Sequence, residues 1–296
     1  MSAAPDPIQI ILLIFVFLVL AEILRALSAG TLLAPLQPRR QLQFDWAVLA
    51  ASSLFIALNV LPVLLQPFLT RAETAVAKRA PEVAVAKPAP ETAAKPAPEA
   101  AVEKPARTSL RVEAAVLTNF VIIAVLVVMM VARRKNQLAD YGVDVQGWLA
   151  EVRFGGLGFL ACLPFVIAII VLSSHWRSPE TQNPLLILLR HTGSERTVWE
   201  VVFAAVVAAP LAEELLFRVA FQGPLEARLP PAWAIAVPAC VFAGVHGPYD
   251  ALPLLPLAIT LGCLYHFRRS YVAVVTAHAL FNATFLILAL SQRGGS

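Results

Sequence analysis

Apolar residues arrive in long blocks along this chain, separated by short polar intervals. Eight blocks predict helical spans, at 8–27, 46–65, 112–132, 154–173, 198–222, 232–246, 252–267 and 271–290. A helix needs about 20 residues to cross the hydrocarbon of a bilayer, within a range of ~17–25. The sixth and seventh blocks are short, so they either recruit flanking residues or do not cross fully. Pro62, Pro164, Pro210, Pro238 and Pro256 fall inside blocks. Proline is tolerated in membrane helices and marks kinks there. The expectation is an all-α, polytopic transmembrane bundle of about eight spans.

One interval is of a different kind. Residues 71–107 are almost wholly Ala, Pro, Lys, Glu and Val, and they repeat: AVAKRAPE at 75–82, AVAKPAPE at 84–91, KPAPE at 95–99. Proline every few residues blocks helix and sheet, and no large apolar side chain is there to bury. This stretch reads as an extended, disordered tether. The chain therefore divides into an N-terminal transmembrane hairpin (1–69), a linker (70–108) and a transmembrane core (109–296).

Composition supports the membrane reading. Of 296 residues, 59% are hydrophobic and 14% charged, against about 25% charged in ordinary soluble domains. Mean hydropathy is +0.74. The formal net charge of +4 reads as Lys and Arg retained in short loops. No phosphate loop, zinc-finger spacing or aromatic-and-basic surface points to nucleic acid. The expected surroundings are a lipid bilayer, in a multi-pass arrangement that in a bacterium means the plasma membrane. The start of the chain, MSAAPDP, lacks the basic residues of a signal peptide, so 8–27 reads as a retained span. Arg39, Arg40, Arg133, Arg134, Lys135, Arg228, Arg268 and Arg269 lie in odd-numbered loops. The positive-inside rule then puts those loops in the cytoplasm, although Arg177, Arg190 and Arg196 of loop four oppose it. Cys162, Cys240 and Cys263 are widely spaced in apolar runs and read as small packing residues.

Ionisable side chains inside membrane helices are costly and are usually functional or paired. They concentrate in the C-terminal half. The fifth block contains Glu213, Glu214 and Arg218, the sixth ends with Phe242 and His246, and the eighth carries His278 and Asn282. Glu214 and Arg218 stand at i and i+4, so they meet on one face as an internal ion pair. Glu213, about 100° round the helix, is left free for other work. Pro230 and Pro231 mark a turn, and Glu213 precedes it by about as many residues as His246 follows it. An antiparallel pair then brings the two to similar depth. His278 lies about 14 Å below the Arg268–Arg269 loop at ~1.5 Å per residue. His175, His191 and His266 have no such company and read as loop or interfacial residues.

A carboxylate and an imidazole can bind and deprotonate a water between them. An imidazole and a carboxamide can donate to the oxyanion formed when that water attacks an amide. Glu213, His246 and His278 also resemble a two-His-one-Glu zinc site with an open position for water. Both schemes end in hydrolysis. No Ser or Cys stands near these residues in a nucleophile motif.

The strings EELLFR (Glu213 to Arg218), FAGVH (Phe242 to His246) and HALFN (His278 to Asn282) resemble the three signature motifs of the CAAX-protease and bacteriocin-processing (CPBP) family, which includes the type II CAAX prenyl endopeptidases. The resemblance covers roughly 199–288, and Gly262 and Tyr265 before the basic pair also fit it. It implies an intramembrane endopeptidase acting on a membrane-associated or lipidated protein or peptide. Glu213 and His246 would activate the water, and His278 and Asn282 would form the oxyanion hole. Glu214 completes the constellation, with Arg218 and Phe242 supporting it. The family is described both as metalloprotease and as metal-free glutamate protease. A non-catalytic scaffold or immunity protein of the same fold is the competing expectation. A proton-coupled transporter would call for internal repeats across the spans, and none is seen.

Overall fold

The computed structural model describes residues 42–58, 105–133, 137–173, 189, 192 and 194–291. The predicted span 8–27, the end of the second span, most of the repeat linker, His175 and His191 lie outside these residues. The described residues are helical and contain no strand.

Among the described residues, seven helices carry the fold. They are α1 (Trp46–Leu58), α2 (Pro105–Arg133), α3 (Trp148–Ser173), the composite α4 (195–226), α5 (Pro231–Val245), α6 (Pro248–Arg268) and α7 (Tyr271–Ser291). Among the described residues, four stretches are long and apolar enough to cross a membrane: Val112–Arg133, Trp148–Ser173, Tyr249–Arg268 and Tyr271–Ser291. This is fewer than the eight predicted, for identifiable reasons. The first span is outside the described residues, and the second is described only as far as Leu58. The fifth is interrupted by changes of helix type. The sixth forms 15 residues of helix, about 22 Å at ~1.5 Å per residue, which is short of the ~30 Å hydrocarbon thickness. The seventh does recruit flanking residues and reaches full length.

The outer faces suit lipid. Leu117, Phe120 and Val128 on α2 and Phe165 and Leu172 on α3 are exposed, where water would penalise them and acyl chains do not. The core lies between α3, α6 and α7 on one side and α4 and α5 on the other, with Phe159, Leu163, Phe217, Phe242, Leu257 and Leu261 at its centre. Of the cysteines, Cys162 is buried and Cys263 half-buried, but Cys240 is exposed. It faces outward from an apolar helix.

Loops one, three, five and seven meet at one end, held by charge. Arg133 Nε contacts Asp45 Oδ2 at 3.4 Å. Arg268 Nη2 donates to Glu151 Oε1 at 2.9 Å, with both side chains buried, and its guanidinium lies 3.8 Å over the Phe154 ring. Glu226 accepts from Gln222, at 3.0 Å, and from Arg269, at 2.8 Å. His266 Nδ1 stands 3.2 Å from the same carboxylate. His266, read as a loop or interfacial residue, stands in the last turn of α6 within this charged cluster. Glu226 is 40 residues away along the chain, so local spacing gave no sign of it.

Helices α3 and α7 approach through Gly155. A Cβ at that position would stand 2.5 Å from the Ala273 carbonyl oxygen and 2.7 Å from Thr276 Cβ. At the neighbouring Gly156 a Cβ would meet nothing within 4 Å. Gly155→Ala is therefore expected to destabilise the protein by about 1–3 kcal/mol. Gly156→Ala is expected to be neutral or stabilising by up to ~1 kcal/mol. Thermal unfolding of the two variants in detergent checks the contrast.

Candidate active site

The helix that carries Glu213 and Glu214 is not regular. Ser194 caps its start, its side-chain oxygen accepting from the Thr197 N–H at 3.3 Å. The α-turns of Glu195–Phe203 then give way to π-turns at Ala204–Ala208, return at Ala209–Glu214, and yield again at Leu215–Gln222. Each π stretch closes with a bond five residues back, from the Ala209 N–H to the Ala204 carbonyl and from the Gly223 N–H to the Arg218 carbonyl. Each stands just before a proline, Pro210 or Pro224. Proline has no N–H and cannot supply a helical bond of either type. Carbonyls left over at such places need other donors. Asn282 Nδ2 donates to the Ala205 carbonyl at 2.7 Å. Ser52 Oγ, on α1, donates to the Ala220 carbonyl at 3.1 Å. π-turns of this kind are frequent at functional sites.

Glu214 and Arg218 form the expected pair, Nε to Oε2 at 3.0 Å, with both side chains fully buried. The second Glu214 oxygen, Oε1, is 2.7 Å from His278 Nδ1. An ionised carboxylate only accepts, so His278 carries its proton on Nδ1 and turns Nε2 the other way. His246 is set by the same logic. Its Nδ1 lies 2.7 Å from the Phe242 carbonyl oxygen, which can only accept, so Nε2 again points away. Both Nε2 atoms converge on Glu213 Oε2, each at 3.9 Å. That oxygen is buried and has no hydrogen-bond partner among the described residues.

Phe242 sits among these groups. Its ring centroid is 4.8 Å from that of His246 and 5.6 Å from that of His278, and the Arg218 guanidinium lies 5.1 Å over its face. It spaces the two imidazoles and gives the buried cation a π surface.

Exposure divides the set. Glu213 and His246 keep 27% and 29% of their side-chain surface, whereas His278 keeps 3% and Glu214 none. The open pair faces a cavity of about 290 Å³, lined also by Ile56 of α1 and by Asn119 and Ile122 of α2. Glu213, His246 and His278 are thus brought together, with Glu214, Arg218 and Phe242 behind them. Asn282, one turn beyond His278, spends one amide N–H on Ala205. Local spacing did not disclose Asn119 or Tyr271, whose hydroxyl donates to the Leu211 carbonyl at 2.6 Å beside the motif. Asn119 did carry one signal: it is the single carboxamide in the block 112–132.

The zinc reading is tested by the same distances. The donor types suit zinc, and each histidine has an acceptor on its second nitrogen, as metal-bound histidines do. Tetrahedral ligands at 2.0–2.1 Å stand about 3.4 Å apart, and the separations here are wider. Among the described residues no three His, Cys, Asp or Glu side chains are gathered to hold one ion. The nitrogen–oxygen separations exceed those of tetrahedral ligands on one ion by about 0.5 Å. A separation of 3.9 Å is instead what one water bridges at ~2.8 Å from both atoms.

Four helices long and apolar enough to cross a membrane, with a buried Glu214–Arg218–His278 cluster packed among the helices, define a membrane protein with a built polar site. Residues 195–284 match the model of the family described as type II CAAX prenyl endopeptidase Rce1-like. That segment holds all three motifs, and over it the chain is similar to that family. No curated protein and no solved structure matches the chain.

Removing one member of a buried ion pair leaves the other uncompensated. Arg218→Met is expected to destabilise the protein by about 3–5 kcal/mol. Adding Glu214→Gln is expected to recover part of that, because Gln carries no charge and still offers His278 an acceptor. Unfolding of both variants in detergent measures the recovery.

Proposed function

We propose that the protein is an intramembrane endopeptidase that hydrolyses a peptide bond of a membrane-associated or lipidated protein. The observation that carries this reading is the convergence of the two Nε2 atoms on Glu213 Oε2. Glu213 Oε2 and His246 Nε2 are acceptors that face each other and select a donor between them, and water is the donor that hydrolysis needs.

In this reading a water lies between Glu213 and His246, donating one hydrogen to each. Glu213 takes a proton as the water oxygen attacks the scissile carbonyl. The carbonyl electrons move onto its oxygen. An oxyanion is stabilised by donors already aimed at it. His278 donates from Nε2 only when both ring nitrogens are protonated, because Nδ1–H is engaged with Glu214. Asn282 has its second amide N–H for the same oxyanion. When the C–N bond breaks, the amine leaves with the proton first taken from water. Arg218 and Glu214 touch no reacting atom here and position His278. For a prenylated substrate the bond cut would lie after the lipidated cysteine, releasing the last three residues. A protein of this fold without activity, a scaffold or immunity factor, would have no use for two histidines held by their Nδ1 atoms.

Glu213→Gln in purified protein is expected to lower cleavage of a lipidated peptide by at least ~10³-fold, the scale of lost acid–base catalysis. Undiminished cleavage would overturn the assignment. With the active enzyme, a strong chelator is expected to leave the rate unchanged. Loss of activity that returns on adding zinc would replace the water-and-carboxylate scheme with a metal one.

A further inference from the structure

The cavity in front of Glu213 and His246 has two walls of different origin. One wall, Ala212, Glu213, Leu216, Phe217, Val245 and His246, comes from the segment that matches the family. The other, Ile56, Asn119 and Ile122, comes from α1 and α2, outside it. On the second wall only Asn119 is polar.

Its position in α2 is unusual. Val112, Ile122, Leu126 and Met130 form the buried stripe of that helix, with Val116 packed against it. Asn119 stands in the same stripe at helical spacing. Packing alone would favour Leu or Val there. A carboxamide in an apolar span normally bonds to a neighbouring helix. Among the described residues Asn119 has no side-chain partner of that kind, and it remains half-buried at the cavity. Pockets that orient a ligand are largely apolar with a few placed polar groups, and Asn119 is such a group.

We propose that Asn119 is a substrate-binding residue that pairs with a main-chain amide of an extended peptide lying across the cavity. A carboxamide offers one acceptor and two donors, and a peptide unit presents the complement. Glu213 and His246 face the same cavity, so a chain held by Asn119 on one wall lies against them on the other. The proposal rests on the endopeptidase reading, since it takes a peptide as the occupant.

Binding separates the two claims. The probe is a fluorescent peptide ending in farnesylated Cys and three further residues, measured on the Glu213→Gln protein in nanodiscs. Adding Asn119→Leu, which suits the apolar stripe, is expected to weaken binding about five- to tenfold, the scale of one or two lost hydrogen bonds. Asn119→Gln, which keeps the carboxamide, is expected to retain more of the affinity. Analogues with single backbone amides replaced by esters sharpen the test. One ester position should weaken binding to the Asn119 protein yet have no effect on the Asn119→Leu protein. With active enzyme, Asn119→Leu should raise KM and leave kcat. Binding unchanged within twofold, ester penalties equal in both proteins, or a loss confined to kcat would each overturn the proposal. Failure of the probe to bind at all would count against it equally. Full cleavage by the Glu213→Gln protein would instead refute the endopeptidase reading and leave the binding comparison to judge Asn119.

Discussion

A carboxylate with no access to solvent must be neutralised where it stands, and the site is organised around that demand at Glu214. Its two oxygens are used separately, one by Arg218 on the same helix and one by His278 on α7. The first contact makes the charge tolerable in an apolar medium. The second fixes which His278 nitrogen carries the proton and where the other nitrogen looks. Arg218 brings a demand of its own, because its two terminal nitrogens are buried without hydrogen-bond partners among the described residues. The Phe242 face answers part of it and draws α5 into the cluster. One buried charge thus orders three helices, and Glu213 owes its surroundings to a neighbour that points away from it.

The second organising condition is that hydrocarbon offers nothing to a lone carbonyl. Two prolines sit in or beside the motif helix, and each withdraws an N–H from the ladder. The helix widens into π-turns just before both of them. Asn282 and Ser52 then supply side-chain donors to carbonyls near the breaks. Asn282 therefore has a structural duty as well as its proposed catalytic one. Ser52 anchors α1 to the same helix, so the far wall of the cavity is tied to the backbone that holds Glu213.

What the sequence disclosed follows the reach of its rules. Glu214 with Arg218, Phe242 with His246 and His278 with Asn282 lie four residues apart, and helical geometry alone pairs them. The proline turn ahead of α5 made the shared depth of Glu213 and His246 legible. The blocks marked nearly every helix, but composition does not register helix type, so the π-turns were invisible. Contacts between distant segments were equally hidden. Glu226 with His266, Tyr271 with Leu211, and Asn119 across from Glu213 depend on how helices pack, and no local spacing encodes that. The short sixth block left two outcomes open, added flanking residues or an incomplete crossing; its 15-residue helix stops where His246 caps it, which leaves that imidazole at the cavity.

The mixed parentage of the cavity has an evolutionary consequence. The residues that would handle water are locked to one another across α4, α5 and α7, where almost any change disturbs a buried charge or an orphaned carbonyl. The opposing wall has few such obligations. Ile56, Asn119 and Ile122 project from helices whose remaining faces are mostly lipid-facing or simply packed. Drift on that side alters the shape and polarity presented to a guest while the hydrolytic apparatus stays intact. What enters the cavity can thereby change through the amino-terminal helices, which lie outside the segment that carries the three motifs.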